Sequence, residues 1–257
     1  ADNDSGHSLS DAYIVLTLPE PVTNLETSNI TANSCILSWE SPTGSGALTY
    51  NIYNGIELYA SANASPTELS LLPNTSYNLT VKAENATGES EGATESVLTL
   101  PMAPTSIQPS EATPSSVTLT WEAPTGGADS YKIYLGVDVI AEPTGFTALI
   151  PELQANTEYA FDVVAINLTG ESAKTSVSTW TLPNAPTNLR HGGVLTATAI
   201  SIAWDASIGG AALYRIYEGS NLLAQVDGSV FSATIFELSP NTLYHLSVKA
   251  VNLGGES

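Results

Sequence analysis

An internal repeat of 82 residues constrains the fold of this chain more than any other feature of its sequence. The tripeptide Thr-Leu-Pro ends at Pro19, Pro101 and Pro183, and both intervals between these prolines are 82 residues long. Two further landmarks recur in the same order, a tryptophan and an Asn-Thr-x-Tyr motif. These residues are Trp39, Trp121 and Trp204, followed by Tyr77, Tyr159 and Tyr244. Repetition at a fixed period predicts that the chain consists of copies of one structural unit.

The recurring segments have the period of β-strands. Cys35, Leu37 and Trp39 alternate with the residues between them, as expected for a half-buried strand, and residues 77–83 alternate in the same way from Tyr77 onwards. Turns rich in Pro, Gly and Asn divide each repeat into about seven short segments. The sequence therefore predicts an all-β chain of tandem seven-stranded Greek-key β-sandwiches.

Three motifs of each repeat resemble the fibronectin type III family. They are the tryptophan on the second strand, Tyr-x-Ile-Tyr on the third strand, and Leu-x-Pro-Asn-Thr-x-Tyr before the sixth strand. The second repeat departs from the last motif, because it has Ala155 where the others have Pro73 and Pro240. The resemblance implies immunoglobulin-like sandwiches with the repeated tryptophan in each core. It also implies a tyrosine corner, in which the hydroxyl of the repeated tyrosine bonds to the nearby backbone.

The register of the repeat predicts four sections of unequal content. Residues 20–101, 102–183 and 184–257 are three domains, and residues 1–19 align without gaps to residues 83–101, where the first domain ends. The third domain stops before its seventh strand, whereas residues 1–19 contain a seventh strand ahead of any domain. The sequence thus holds two complete domains, one domain without its last strand and one spare strand.

Two explanations of the spare strand remain open. The one that we favour from the sequence is donor-strand assembly, in which residues 1–19 complete the third domain, residues 184–257, of an identical subunit. Because the donor and the acceptor lie at opposite ends, this contact would extend head-to-tail into a filament or pilus-like fibre. The alternative is that the chain is a section of a longer array. It would then be a spacer or adhesion module of a surface protein, a phage fibre or an extracellular carbohydrate-active enzyme.

The donor-strand hypothesis assigns the contact to particular side chains. The donor residues are Tyr13, Ile14, Val15, Leu16 and Leu18. We expect Ile14, Leu16 and Leu18 to face the groove of the acceptor. Their equivalents in the first repeat are Ser96, Leu98 and Leu100. Ile14 thus replaces a serine, and burying this extra side chain would contribute about 2 kcal/mol to the binding of a strand that has no covalent tether.

Composition excludes several classes of partner. The formal net charge is −20, from 26 acidic and 6 basic residues, so nucleic acids and anionic membrane surfaces are not expected as partners. No run approaches the roughly 18 apolar residues that a membrane-spanning segment needs. Surface glycans and cell-surface receptors remain candidate partners. The chain begins with Ala1 and shows no signal peptide, as expected of a mature secreted protein or of a fragment.

No catalytic constellation is recognisable, and we predict that the chain is not an enzyme and needs no cofactor. His7, His191 and His245 fall at unrelated positions of the repeat, without the spacing of metal ligands. Cys35 is the only cysteine, so it forms no disulfide within the chain, and its position predicts a small core residue. Residues 2–6, Asp-Asn-Asp-Ser-Gly, resemble the start of a calcium loop but lack the glutamate at its twelfth position, which favours a solvated turn.

Six sequons offer candidate sites of N-glycosylation. They begin at Asn3, Asn29, Asn74, Asn78, Asn85 and Asn167. Strand alternation predicts that Asn78 points outward, and we expect Asn85 and Asn167 in exposed loops. If the source organism glycosylates secreted proteins, these residues are the acceptors.

Overall fold

The computed structural model describes residues 15–44 and 46–257, which lie in two compact units, residues 1–100 and 101–257. The predictions made for Asn3, for Tyr13 and Ile14, and for the turn at residues 2–6 lie outside the described residues. Every regular element of the described part is a β-strand. None of these residues forms a helix long and apolar enough to cross a membrane.

The first repeat is a sandwich of two antiparallel sheets. Its strands are β1 (Thr23–Ser28), β2 (Ser34–Glu40), β3 (Thr49–Asn54), β4 (Glu57–Ala62), β5 (Thr67–Ser70), β6 (Ser76–Asn85), β7 (Gly88–Glu89) and β8 (Ala93–Leu98). One sheet has the order β1-β2-β5, and the other has the order β4-β3-β6. The short strand β7 and the longer strand β8 both pair with β6. We call β8 the closing strand of this repeat, because it covers the side of β6 that faces away from β3.

The second repeat has the same topology. Its strands are β9 (Thr105–Ser110), β10 (Val117–Glu122), β11 (Ser130–Leu135), β12 (Asp138–Ala141), β13 (Thr147–Ile150), β14 (Glu158–Asn167), β15 (Gly170–Glu171) and β16 (Thr175–Trp180). The sheets have the orders β9-β10-β13 and β12-β11-β14, and β16 is the closing strand on β14. The match between the two repeats extends to the closing strand and its register.

The third repeat has no closing strand within residues 184–257. Its strands are β17 (Thr187–Leu195), β18 (Ile200–Asp205), β19 (Leu213–Glu218), β20 (Asn221–Asp227), β21 (Ser232–Ile235), β22 (Leu246–Asn252) and β23 (Gly255–Glu256). The sheets have the orders β17-β18-β21 and β20-β19-β22-β23. Of the described residues, none pairs with Leu246–Val248 on the side away from β19. We call this side of β22, with residues 243–245 before it, the open edge.

The core of each repeat lies between its two sheets and is built from alternate residues of the central strands. The repeated tryptophans are buried in these cores: Trp39 is 6%, Trp121 is 4% and Trp204 is 1% exposed. Each packs against the first tyrosine of Tyr-x-Ile-Tyr, with ring centroids 5.0–5.5 Å apart. Aromatic pairs at this spacing combine area burial with favourable ring electrostatics, so the two motifs jointly fix the middle of each sandwich.

The closing strands correct the predicted direction of the inward face. Val97 is 4% and Thr99 is 0% exposed, whereas Ser96 is exposed and Leu98 half-buried. The prediction that Ser96, Leu98 and Leu100 face the core is therefore wrong. The leucines were assigned inward because they are apolar, but their equivalents in the two junctions described below contact a neighbouring repeat. Residues 15–18 are exposed and belong to no strand of the described part.

The tyrosine corner is present in all three repeats. The hydroxyl oxygen of Tyr77 accepts a hydrogen bond of 2.8 Å from the backbone N–H of Leu72. The corresponding bonds to Tyr159 and Tyr244 come from Gln154 and Ser239 and are also 2.8 Å long. Each bond fixes the turn that leads into the sixth strand.

Replacing Tyr77 by Phe tests the contribution of this corner to stability. We expect Tyr77→Phe to lower the free energy of unfolding of the first repeat by about 1–2 kcal/mol, because the N–H of Leu72 loses its partner while the ring stays in place. Chemical denaturation followed by tryptophan fluorescence measures the change. Tyr59→Phe is the control, since Tyr59 donates to the carbonyl of Ser70 at an exposed position that water can solvate. Equal losses in the two variants would contradict a special role for the corner.

Candidate functional site

The side chains considered for catalysis do not form a site. Within the described residues, no group of three or more His, Cys, Asp or Glu side chains could hold a metal ion. His191 and His245 are exposed; His191 lies in β17, whereas His245 lies just before β22, which belongs to the other sheet of the third repeat. Cys35 is 0% exposed in the first core, and burial raises the pKa of its thiol, which leaves it protonated and unreactive near neutral pH.

The acidic residue that follows each tryptophan forms a hydrogen bond between the first two strands of its repeat. Glu40 accepts from the hydroxyl of Thr23, at 3.5 Å, and Glu122 accepts from Ser106, at 2.9 Å. Asp205 accepts from Arg190 Nη1 at 2.8 Å. These bonds join the second strand of each repeat to its first strand, so the acids recur because the strand pair recurs.

A network of hydrogen bonds joins the second and third repeats. Asn252, at the end of β22, donates through Nδ2 to the carbonyl of Thr181 at 2.8 Å and to Oδ1 of Asn156 at 3.0 Å. Its Oδ1 accepts from the backbone N–H groups of Gly254 and Gly255. One side chain of the third repeat thus holds its own turn and two residues of the second repeat.

Close packing reinforces this junction. A Cβ at Gly254 would lie 2.7 Å from the carbonyl oxygen of Trp180, a distance that real Cβ atoms do not reach. Gly255 has a φ of +142°, and a Cβ there would lie 3.1 Å from Cδ2 of Leu182. On the other side, Asn156 donates through Nδ2 to the carbonyl of Gly209 at 2.9 Å. Glycine is required at position 254 because the preceding repeat approaches its backbone.

The same arrangement recurs in the first unit, between residues 17–18 and the first repeat. Asn85 donates through Nδ2 to the carbonyl of Thr17 at 2.7 Å. Gly88 has a φ of +137°, and a Cβ there would lie 3.1 Å from Cδ2 of Leu18. Residues 17–18 therefore occupy, against the first repeat, the place that Thr181 and Leu182 occupy against the third. We call Asn85 and Asn252 the junction asparagines.

Sequence reasoning did not identify this junction, although its elements were visible. An Asn-x-x-Gly-Glu-Ser motif follows the sixth strand of every repeat, at residues 85–90, 167–172 and 252–257. The Thr-Leu-Pro tripeptide was interpreted as the end of a core strand. The leucine of Thr-Leu-Pro recurs in all three copies of the tripeptide. Because an apolar side chain on the outward face of a sandwich gains stability only when another part of the protein covers it, this leucine indicates a contact with a neighbouring repeat.

A second polar cluster fastens the glutamate of the Gly-Glu-Ser turn in every repeat. In the second repeat, Glu171 accepts from Lys132 Nζ and from Tyr134 Oη, both at 2.8 Å, and Lys174 lies 4.6 Å from the centre of the Tyr134 ring. The other clusters join Glu89 to Tyr53 and Lys82, and Glu256 to Tyr217 and Arg215. Hydrogen bonds from Lys132 and Tyr134 lower the pKa of Glu171, against a smaller effect of burial. In the first and third repeats, these hydrogen bonds hold the turn that contacts the preceding Thr-Leu-Pro.

The open edge of the third repeat borders a groove of about 550 Å³. Its walls include Leu195 from β17, Leu238, Tyr244 and Leu246. Leu246 is half-buried, whereas its equivalents in the complete repeats, Leu79 and Phe161, are 0% exposed. Leu189 of β17 is 43% exposed, while its equivalent Ile107 is 8% exposed. The groove is thus the space that a closing strand fills in the other repeats.

The donor residues and sequons occupy different environments. Among the donor residues, Val15 is 62%, Leu16 is 44% and Leu18 is 56% exposed.

The sequons differ in exposure. Asn29 and Asn78 are exposed, and Asn74 and Asn85 are half-buried. The expectation of an exposed Asn167 is wrong: this residue is 5% exposed, and its Oδ1 accepts from the N–H groups of Thr169 and Gly170. Asn29 and Asn78 are therefore the most accessible sequons of the described residues.

Replacing Asn252 by Ala tests the junction. We expect Asn252→Ala to lower the unfolding free energy of the third repeat by about 1–3 kcal/mol, because two backbone N–H groups lose their acceptor. Motion between the second and third repeats should also increase, as measured by NMR relaxation. Asn221→Ala, at an exposed position of β20, is the control. If both variants tumble as the parent chain does, the junction asparagine does not restrain the two repeats.

The lowered pKa of Glu171 predicts an acid-sensitive contribution to stability. A carboxyl group with a folded pKa below its ordinary 4.5 stabilises the fold above that value and loses the effect as the pH falls through the folded pKa. We expect Glu171→Gln to be less stable than the parent at pH 7 and to lose less stability on acidification. Urea unfolding between about pH 6 and pH 3 measures this, with Asp129→Asn at an exposed position as control. A parallel pH dependence of parent and Glu171→Gln would contradict the assignment.

Comparison with known proteins agrees with these repeated features. The family model described as "Fibronectin type III domain" matches residues 20–99, 102–181 and 184–257. Chitinase A1 of Niallia circulans is 34% identical over 175 residues, which is 62% of this chain and 25% of that protein. Exoglucanase B of Cellulomonas fimi is 29% identical over 271 residues, which is 93% of this chain and 24% of that protein. The chain thus spans about a quarter of the length of these two relatives.

Two further similar proteins have names that describe no enzyme. The collagen alpha-1(XII) chain of Oryctolagus cuniculus is 29% identical over 91% of this chain and 40% of that protein. The solved structure of chicken CNTN1 FN1-FN3 domains covers 93% of this chain and 96% of its own, with 18% identity and a TM-score of 0.35. The family model accounts for nearly all of the sequence from residue 20 onwards, in three copies. The chain belongs to the fibronectin type III domain family, as a tandem array of three repeats.

Proposed function

We propose that this chain is a non-catalytic section of an extracellular tandem array and acts as a spacer or adhesion module. The observation that carries the proposal is the junction, which is built from the same residue types in both units. A junction asparagine binds the threonine carbonyl of the preceding Thr-Leu-Pro, and the leucine of that tripeptide packs on a glycine of the following repeat. Repeats joined by a standard contact can be added to an array without a new interface being built.

The relatives support this role and an extracellular location. A chitinase, an exoglucanase and a collagen chain each contain a region that this chain matches, although their names describe different activities. What they share with this chain is the array, and the described residues hold no metal-binding group of side chains. The array is therefore the part that serves different proteins in the same way, by separating or presenting other domains.

Deleting one period of the repeat tests whether the repeats are interchangeable. Removal of residues 102–183 joins Pro101 directly to Asn184. Thr99 and Leu100 then take the places of Thr181 and Leu182 in front of the third repeat. We expect the shortened chain to fold, with the thermal midpoint of the third repeat within about 2 °C of the parent value. Differential scanning calorimetry measures the transitions.

Asn252→Ala in the shortened chain is the matched control for this deletion. It should lower the third transition by as much as it does in the parent chain, because the same side chain now binds the carbonyl of Thr99. A third repeat that unfolds early in the shortened chain, with no further effect of Asn252→Ala, would contradict interchangeable repeats.

A second candidate function is that of a filament subunit that assembles head-to-tail by donation of residues 1–19. One observation favours it, namely the open edge, which presents unpaired backbone next to an apolar groove. Unpaired edges of this kind associate with other strands. The two candidates differ in the source of the strand that closes the third repeat, which is the same chain in a longer array and another molecule in a filament.

A further inference from the structure

We infer that Asn78, on the outer face of the first repeat, is an acceptor for an N-linked glycan whose first sugar rests in an uncharged groove beside it. The inference concerns a modification and stands apart from the proposed function, whether the chain is a spacer or a filament subunit. It separates one sequon from the others by the contacts that each asparagine makes in the folded repeat.

Two of the sequons are used by the fold. Asn85 donates through Nδ2 to the carbonyl of Thr17 at 2.7 Å, and its Oδ1 accepts from the backbone N–H and the hydroxyl of Thr87. Asn167 is 5% exposed and caps its own turn through Oδ1. A sugar on Nδ2 would break the bond from Asn85 to Thr17, and it would have to open the turn that surrounds Asn167.

Asn78 presents its amide nitrogen to solvent in a fixed orientation. It lies on β6 directly opposite Ser96 of the closing strand. Its Oδ1 accepts from the hydroxyl of Ser96 at 3.2 Å, and its backbone N–H donates to Oδ1 of Asn54 at 3.2 Å. The side chain is exposed, and no described residue accepts from its Nδ2. Because an amide group is planar, the bond at Oδ1 also sets the direction of Nδ2, and this nitrogen is available to carry a sugar.

A groove of about 530 Å³ lies beside Asn78, and we call it the Asn78 groove. Its lining includes Asn54 on β3, Ser76 on β6, and Ser96 and Leu98 on β8. The volume lies within the roughly 300–1,000 Å³ of small-molecule sites. The Asn78 groove thus crosses three adjacent strands of one sheet, next to the nitrogen that would carry the sugar.

The lining of the Asn78 groove suits a neutral ligand with many hydroxyl groups. None of the seven described residues that line it is charged, in a chain with 26 acidic residues. Ser76 and Ser96 offer hydroxyl groups and Asn54 offers an amide nitrogen, whereas the half-buried Leu98 offers an apolar surface. A sugar ring has the same combination, with hydroxyl groups around its rim and C–H groups on its faces. The groove therefore matches the chemistry that the sequon would bring to it.

The other candidate positions lack this combination. The equivalent of Asn78 is Ala160 in the second repeat and His245 in the third, and neither begins a sequon. Asn29, the other exposed sequon, lies in the turn between β1 and β2 and is not among the residues that line the Asn78 groove. Asn78 is therefore the described sequon at which exposure, an unbonded amide nitrogen and a groove coincide.

The modification needs an activated glycan from outside the chain. In a secretory pathway that attaches N-glycans, the donor is an oligosaccharide joined through C1 to a lipid pyrophosphate. Nδ2 of Asn78 forms the new bond to C1, the bond between C1 and the pyrophosphate oxygen breaks, and one amide proton passes to a base of the transferring enzyme. The lipid pyrophosphate leaves, and the first sugar stays on Asn78 over the groove. Because this sugar would join Asn78 of β6 to the surface of Leu98 on β8, we expect it to stabilise the pairing of the closing strand.

Site occupancy tests the choice of acceptor. The full chain is secreted from a eukaryotic host behind a cleavable signal peptide, and glycopeptide mass spectrometry measures the glycan at each sequon. We expect occupancy at Asn78 to be at least about fivefold that at Asn85 and Asn167, because chains modified at those two residues lose contacts of the fold and are removed before secretion. An empty Asn78, or an Asn167 that is occupied as often, would overturn the inference.

Thermal unfolding of the first repeat tests whether the sugar rests in the groove. Each variant is compared in two forms, one made in a bacterial host without glycans and one secreted and then trimmed enzymatically to a single N-acetylglucosamine. We expect the trimmed parent to unfold about 2–5 °C above its bacterial form. The same gain should remain in Asn29→Gln and vanish in Asn78→Gln, because only the second variant loses the sugar beside the groove.

Leu98→Ser separates the effect of the groove from that of the glycan. Occupancy at Asn78 should stay as in the parent, whereas the gain in midpoint should fall by at least about half, because the sugar loses its apolar wall. Both forms carry the same substitution, so a lower stability of Leu98→Ser does not affect the comparison. A parent without any gain, or a gain that Leu98→Ser leaves unchanged, would overturn the placement of the sugar. The deletion of residues 102–183 measures the proposed function separately, so failure here leaves that proposal standing.

Discussion

The pairing of the sixth strand with a closing strand is the interaction on which the rest of this structure depends. In the two complete repeats it buries Val97 or its equivalent, seals the core beside the repeated tryptophan, and anchors Thr99 and Thr181 by their hydroxyl groups. In the second repeat, the anchored Thr181 presents its carbonyl outward, where the junction asparagine Asn252 binds it. Closure of the second repeat and its attachment to the third are therefore one continuous set of hydrogen bonds. In the third repeat, no described residue pairs with Leu246–Val248 on the side of β22 away from β19, and Leu246 is half-buried.

The fold follows from the sequence because the landmarks that define it are local and are repeated three times. Strand alternation in residues 35–39 and 77–83 correctly places Leu37 and Leu79 in the core. The same rule failed for the closing strand, where both faces carry apolar residues. An edge strand in a tandem array has two apolar surroundings, its own core and the neighbouring repeat, and alternation alone does not say which face meets which. Leu182 shows the outcome, since it packs on a glycine of the next repeat.

The junctions were out of reach of sequence reasoning for a physical reason. The sequence predicts loop positions for the three asparagines after the sixth strands, because their motif is typical of turns. The chain does turn after each of them, which are Asn85, Asn167 and Asn252. The side chains of Asn85 and Asn252, however, bond to backbone groups that are distant in sequence, such as the carbonyl of Thr181, 71 residues from Asn252. Sequence spacing does not reveal such a contact unless the orientation of both partners is known.

A spacer array and a strand-donating filament would use the same contacts to close a sandwich. They differ in whether the closing strand belongs to the same chain or to another molecule. In both, a Val-Leu-Thr-Leu-Pro strand or its equivalent completes a sandwich and a junction asparagine holds its threonine carbonyl. A tethered strand acts at an effective concentration on the order of millimolar, whereas a strand from another molecule must compensate for the loss of its freedom of motion. Extra apolar area at the site is a direct way to supply that difference.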